Sequence, residues 1–327
     1  MMGKRLTALA VAAVLAFAMA ITGTARAENT KLTVMVFLGM QNLPIFAAQS
    51  QGFFAKHGLS VDMKITPGSE VMRKGLADGQ WQIIHTAIDN GVAMADVAKV
   101  DVVSVIGGDN SFNHLVVQPE IKSIKDLRNK TVIVDALNTA YAFQLYDILK
   151  KNGLYKGEYS VKSVGATYKR LAEMKQEKTA AAAILNPPFS ILAAKAGLKD
   201  LGPVMQVIGP YQGTVGITLR SWAREHPDIL VKYLQAYIEG LRWSLDPKNK
   251  DTATNLLMAG LKLDPATAAA CYALVIDPVN GLAKDGKFDI EGFRNVLKLR
   301  AEFEGGAASP PEKYIDLSYY QKALGGL

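Results

Sequence analysis

Four histidines, one cysteine and a few loop carboxylates are the residues of this 327-residue chain whose types could do chemistry. No two of His57, His85, His114 and His226 stand at a ligand spacing such as H-E-x-x-H, so a metal site is not expected. His57 reads as a charge at a helix C-terminus and His226 as part of a helix start. His85 falls at a strand end, where a ligand contact and a packed ring are both open readings. Cys271, within Ala270-Cys271-Tyr272, sits in an apolar helical pattern with no base beside it, which describes a buried structural thiol. Ser69-Glu70 and Asp135 could be imagined as catalytic. A helix start and a strand-end turn account for them without chemistry. The phosphate-cradling G-x-x-x-x-G-K-[ST] loop is missing from the sequence, so ATP hydrolysis is not its task. No catalytic residue, cofactor or metal is assigned.

What remains is a set of polar residues on loops, and the elements must bring them together. The stretch Thr66 to Asn90 reads as strand end, loop, short helix, strand and loop. Val61, Met63 and Ile65 alternate with polar residues, Pro67-Gly68 breaks the pattern, Ser69 can cap a helix, and Gly79 ends it. Trp81 to Ile84 forms the next strand, and His85 to Asn90 leaves its carboxyl end. In open α/β sheets that edge is where ligands bind. The candidate binding residues there are Ser69, Glu70, His85, Thr86, Asp89 and Asn90. Other strand ends supply Gln41 and Asn42, then Asn138, Thr139 and Tyr141, then Asn186 and Tyr211.

The first 27 residues are expected to be a cleaved secretory signal. Lys4 and Arg5 precede an apolar run from Ala8 to Ile21, and Ala25-Arg26-Ala27 matches the small-x-small cleavage pattern. The run is short for a membrane span, which needs about 20 apolar residues. Cleavage removes three basic residues and no acid from a chain of formal charge +7. The remaining charge is spread over solvated helix ends, with no arginine-aromatic stripe of the kind that tracks nucleic acid. No cysteine lies near the cleavage point to carry a lipid, so a soluble periplasmic protein is expected, not a lipoprotein, with no membrane insertion once the signal is removed.

Along the chain, strand Leu32–Phe37, a helix started by Leu43-Pro44 and strand Val61–Ile65 make a β-α-β unit, hence a parallel pairing. Asp89 or Asn90 would cap a further helix, Val92–Ala98, before the apolar strand Val100–Ile106. The α/β pattern restarts at Lys130 and runs through an alanine-rich strand, Thr179–Leu185. Crossings between two lobes are placed at Val117–Ile121 and Ile208–Thr214. Lobe 1 is then residues 28–117 and 214–327, including a helical C-terminal extension, and lobe 2 is residues 118–213.

Three segments carry a family likeness. Pro44-Ile45-Phe46-Ala47-Ala48 with Gly52-Phe53-Phe54 and Gly58-Leu59 is the first. Gly75-Leu76-Ala77-Asp78-Gly79-Gln80-Trp81-Gln82 is the second, with Gln82 where the pattern has an acid. Ile124-Lys125-Asp126-Leu127-Arg128-Asn129-Lys130-Thr131-Val132 is the third. In order and spacing the chain resembles periplasmic substrate-binding proteins of ABC importers. More narrowly, it resembles the group that binds nitrate, sulfonates, taurine and thiamine pyrimidines. The resemblance implies a type II periplasmic-binding-protein fold: two α/β lobes joined by two crossover strands that close on a ligand by hinge motion. It further implies a monomer, a permease with its ATPase as partner, and no catalysis.

The bound species stays open between two classes. A small organic anion, sulfonate-, nitrate- or taurine-like, could sit on helix N-termini near Ser69, Asn90 and Thr139, with Arg73 adding charge if it turns inward. An aminopyrimidine would use the acids and amides as acceptors and Tyr141 and Tyr211 as stacking faces. A pyrimidine synthase of the same superfamily is the enzyme alternative, although the signal and the isolated cysteine argue against it.

Overall fold

The computed structural model describes residues 28–327, so the expected signal, residues 1–27, lies outside the described residues. The first lobe contains β1 (Thr30–Val36), α1 (Leu43–Ser50), α2 (Phe53–Lys56), β2 (Leu59–Ile65), α3 (Ser69–Ala77), β3 (Ile83–Ala87), α4 (Ile88–Asp96) and β4 (Val102–Gly107). The second contains β5 (His114–Val117), β6 (Thr131–Val134), α5 (Ala140–Lys151), β7 (Ser160–Ser163), α6 (Thr167–Gln176), β8 (Ala180–Leu185), α7 (Phe189–Lys195), β9 (Lys199–Pro203) and α8 (Met205–Ile208). The chain returns as β10 (Thr214–Leu219). It continues through α9 (Arg220–Glu225), α10 (Pro227–Leu245), α11 (Lys250–Leu261), α12 (Pro265–Val275), α13 (Ile290–Glu304) and α14 (Ser318–Gly325).

Each lobe holds a five-stranded sheet, in the orders β2-β1-β3-β10-β4 and β7-β6-β8-β5-β9. Within the βαβ units the pairings are parallel: β1 with β2 and β3, β6 with β7 and β8. The fourth place in each sheet goes to a strand that has just crossed over. β10 runs antiparallel to β3 and β4, and β5 runs antiparallel to β8 and β9. Strands β4 and β8 are buried along their whole length, which is why their sequences are continuous apolar or alanine runs and not alternations.

The first crossing lies at residues 108–113, upstream of the expected Val117–Ile121. His114–Val117 is the β5 strand of the second sheet and therefore belongs to lobe 2. The Gln118-Pro119 break ends that strand; it does not join the lobes. The second crossing, residues 209–213, lies against the first. The Gly213 N–H donates to the Asp109 carbonyl at 2.9 Å. A Cβ on Gly213 would come within 2.2 Å of Asp109 Oδ1, so only glycine allows this approach.

The helical C-terminal part serves both lobes, where the sequence placed it on lobe 1 alone. Helix α10 buries Leu230, Tyr233, Leu234 and Tyr237 against Val34, Val36 and Ile83 of the first sheet. Helix α13 shares a core with Ile84 and Val215 of lobe 1 and with Val132 and Phe143 of lobe 2. Phe303 stacks on Phe143 with ring centres 6.2 Å apart. Phe293 of α13 is fully buried, which for a side chain of this size contributes roughly 1.5–3 kcal/mol, so α13 is a substantial non-covalent tie across the hinge. Two further boundaries differ. Helix α4 begins at Ile88, with Asp89 and Asn90 in its first turn and not as caps, and strand β3 extends through His85, Thr86 and Ala87.

Candidate functional site

A cavity lies between the lobes where the two crossings meet. It is narrow in this conformation, a cavity of about 40 Å³, room for water-sized occupants until the lobes part. Lobe 1 contributes Ser69 from α3, His85 and Thr86 from β3, and Asn90 from α4. Lobe 2 contributes Thr139 and Tyr141 at the start of α5 and Asn186 after β8. Gln41 and Tyr211 complete the set of candidates that reach it. Nine of the thirteen residues singled out from the sequence thus line one space, because strand ends and helix starts of both sheets converge there.

On the lobe 1 side, His85 is held rather than free. Its Nε2 lies 2.8 Å from the Tyr233 hydroxyl, and its ring stacks on Tyr237 at 4.8 Å. Burial pushes its pKa down to about 4, so the ring is neutral at physiological pH. Asn90 Nδ2 donates to Thr86 Oγ1 at 2.7 Å and to Ser69 Oγ at 3.2 Å. The Ser69 hydroxyl in turn donates to Asp135 Oδ2, and the Ser69 N–H reaches Asp135 Oδ1 at 3.4 Å. A carboxylate of lobe 2 therefore occupies the N-terminus of α3, one of the three helix starts open to an anion from the sequence.

On the lobe 2 side, Asn186 Oδ1 accepts from Thr167 Oγ1 at 2.8 Å and from the Tyr141 hydroxyl at 3.3 Å. Its Nδ2 donates across the cleft to Gln41 Oε1 at 3.4 Å. The Arg170 guanidinium lies 4.4 Å over the Tyr141 ring, which fixes that ring in place. Arg170 bonds the Gly165 and Ile184 carbonyls and Thr167, all within lobe 2.

Four expected residues do not line the cavity. Asn42 is buried and donates to the Phe37 carbonyl at 2.6 Å, a structural role at the end of β1. Glu70 is exposed on the outer side of α3, beside a separate surface pocket shared with Arg73. Asn138 accepts from Arg73 there, so Arg73 faces its neighbour across the lobes and not the cleft. Asp89 is fully buried, takes the Tyr211 hydroxyl at 2.7 Å and pairs with Arg300 at 3.3 Å. Its helix turn carries it behind the cavity wall, one residue out of phase with Asn90.

Sequence reasoning missed the crossing itself. Asp109, Ser111, Asn113 and Gln144 line the cavity. Asn113 Nδ2 donates to Gln144 Oε1 at 2.7 Å, joining the crossing to α5. Asp109 Oδ1 accepts from the Ser111 N–H at 2.8 Å and the Thr214 N–H at 3.2 Å, which staples one crossing to the other. Burial raises the Asp109 carboxyl above the usual range. The Gly107-Gly108-Asp109-Asn110 turn signal was present but was overshadowed by Gln118-Pro119. No lysine or arginine lines this cavity among the described residues. The arrangement places hydrogen-bonding side chains of both lobes around one space.

The family model described as NMT1/THI5 like matches residues 40–250. No curated protein matches the chain. Solved structures share its fold. The ligand-binding component of an ABC-type import system from Staphylococcus aureus, solved with zinc bound, is 13% identical, covers 90% of this chain and 99% of its own, and has a TM-score of 0.74. The periplasmic nitrate-binding protein NrtA from Synechocystis PCC 6803 is 12% identical over 92% of this chain and 89% of its own, with a TM-score of 0.75. The periplasmic aliphatic sulphonate binding protein SsuA from Escherichia coli is 15% identical over 89% and 99%, with a TM-score of 0.68. The desulfurization enzyme DSZB, 11% identical over 90% and 99% with a TM-score of 0.63, also has the fold, so the fold alone does not separate binding from catalysis. The matched stretch runs from the turn Met40–Asn42 before α1 to the start of α11, takes in both crossings and every strand but β1, and on it the chain belongs to the NMT1/THI5-like family.

Proposed function

We propose that this protein is an extracytoplasmic solute-binding protein that captures a small polar ligand between its lobes and presents it to the permease of an ABC importer. The observation that carries this reading is the position of the cavity. It is walled by both lobes and by both crossings, so occupancy and lobe angle are mechanically coupled. Transport-binding proteins among the fold neighbours support the same role; two of them are named for nitrate and for aliphatic sulphonates, and a sulfonate-, nitrate- or taurine-like organic anion is the ligand class of this reading. The reading is of a monomer without catalytic activity, exported by the signal at residues 1–27. Among the described residues no helix is long and apolar enough to cross a membrane.

The test is a thermal-shift screen of the purified mature protein, followed by scattering with and without the ligand found. A ligand that binds only the folded state stabilises it by RT ln(1 + [L]/Kd), about 2.7 kcal/mol at a hundredfold excess over Kd. Stabilisation with compaction and full recovery of unchanged ligand is the expected result. Conversion of the ligand would overturn the non-enzyme reading, and stabilisation without compaction would overturn closure.

A further inference from the structure

We infer that the protein carries a second small-molecule site, separate from the cleft, which takes a flat aromatic ring bearing a carboxylate. The site is a pocket of about 630 Å³ at the seam between lobe 2 and the end of α13. That volume suits a small organic molecule. The pocket shares no lining residue with the cleft cavity, so the inference stands apart from what the cleft binds.

Phe143 and Tyr146 of α5 and Phe303 of α13 line one side. Phe303 stacks on Phe143 at 6.2 Å and meets the Tyr146 ring edge-on at 5.8 Å. The segment leading into β7 supplies the other side through Leu154, Tyr159 and Val161. Tyr146, Tyr159 and Phe303 are only half-buried, so ring surface is left uncovered within the pocket. A further ring fits there at the usual aromatic spacing of about 4.5–7 Å. Burial, with Tyr159 nearby, raises the Tyr146 phenol to about 12, and burial raises Tyr159 as well. Both hydroxyls therefore keep their protons at neutral pH and can donate hydrogen bonds.

The charge of the occupant follows from the four charged side chains that line the pocket. Glu302 is taken by Lys150, and both oxygens of Glu304 accept from Arg300 Nη2, at 2.8 and 2.9 Å. Lys156 is exposed and pairs with no carboxylate among the described residues. Aromatic faces by themselves favour a cation. A cation here would meet Lys156 and find both carboxylates occupied. A carboxylate finds an ammonium and two phenol donors, and its ring finds the aromatic sides. Leu137 and Tyr155 line the same pocket and are each 58% exposed, so solvent-borne molecules can enter.

The probe is 2-naphthoate. Its neutral partner of the same shape is 2-naphthalenemethanol, and cyclohexanecarboxylate is the anion without a flat ring. Titration calorimetry on the mature protein should find one site for 2-naphthoate, about tenfold tighter than for either partner. Lys156→Gln should remove the preference over the alcohol, and Tyr155→Ala should weaken both naphthalenes. Both residues are exposed, and the unliganded melting temperature reports whether each variant is folded. Gln41→Ala, in the cleft, should leave 2-naphthoate binding unchanged. Equal affinity for the alcohol, indifference to Lys156→Gln, or loss of binding in Gln41→Ala would overturn the assignment. So would failure of 2-naphthoate to bind, or a doubled mass in light scattering that Tyr155→Ala abolishes, which would make this face a contact between copies. None of these outcomes bears on solute capture in the cleft, which the thermal-shift screen tests separately.

Discussion

Ser69, at the start of α3 in lobe 1, gives its backbone N–H and its hydroxyl to the carboxylate of Asp135, which leaves β6 in lobe 2. The contact closes the cleft on one side, and the Ala166 N–H to Pro67 carbonyl bond at 3.1 Å runs beside it. An acid from one lobe thus complements the positive end of a helix in the other.

Asp135→Asn should weaken ligand binding more than it weakens the fold. Hydrogen bonds to a charged group are worth about 1.5–3 kcal/mol, or roughly 10- to 100-fold in Kd. The contact exists only when the lobes meet, so its loss favours the open form. Calorimetry and scattering on the same variant check this. Unchanged affinity with an unchanged radius of gyration would show that the contact does not govern closure.

Arg300 on α13 ties three places together. Its Nη1 reaches Asp89 in lobe 1 at 3.3 Å and the Asn138 carbonyl in lobe 2 at 3.2 Å, and its Nη2 reaches Glu304 at 2.8 Å. Arg300→Met leaves the Asp89 carboxylate buried without its countercharge and should cost about 3–5 kcal/mol in urea unfolding. Asp89→Asn should also destabilise. The double change Asp89→Leu with Arg300→Met should recover much of the loss, because the buried charge disappears with its partner. A double variant no more stable than Arg300→Met would count against this account.

His85 predicts an acid-side loss of stability. Its pKa is lowered by burial from 6.5 to about 4 in the folded state. Between those values the unfolded chain takes up a proton that the folded chain refuses, so stability falls as pH drops. The contribution is intact above about pH 6.5 and lost progressively toward pH 4, by about 3 kcal/mol in all. His85→Gln keeps a polar partner for Tyr233 and should flatten this part of the profile. Denaturation of both proteins at pH 7 and pH 4.5 gives the difference, and equal slopes would refute the assignment.

Much of the fold was legible locally. The alternation in Val61–Ile65, the apolar run Val102–Gly107 and the alanine run Ala180–Leu185 each follow from strand periodicity and burial. Breakers such as Pro67-Gly68 and Gly153 mark element ends through their own backbone preferences. Strand β9 escaped this reading because Lys199–Pro203 lies at a sheet edge, largely outside the buried core, and shows no apolar pattern.

Sequence alone determined the two-lobe α/β alternation and the loops from which the cleft is drawn, since period, caps and breakers act within a few residues of one another. Tertiary structure decided which acid faces the ligand space. Asp89 and Asp109 are both loop-adjacent acids in the sequence. Asp89 takes the Tyr211 hydroxyl and pairs with Arg300, 122 and 211 residues away, while Asp109 lines the cavity and staples the two crossings. A buried carboxylate's role depends on its partners, and here those partners arrive only when the chain has crossed between the lobes twice and laid helix α13 over both.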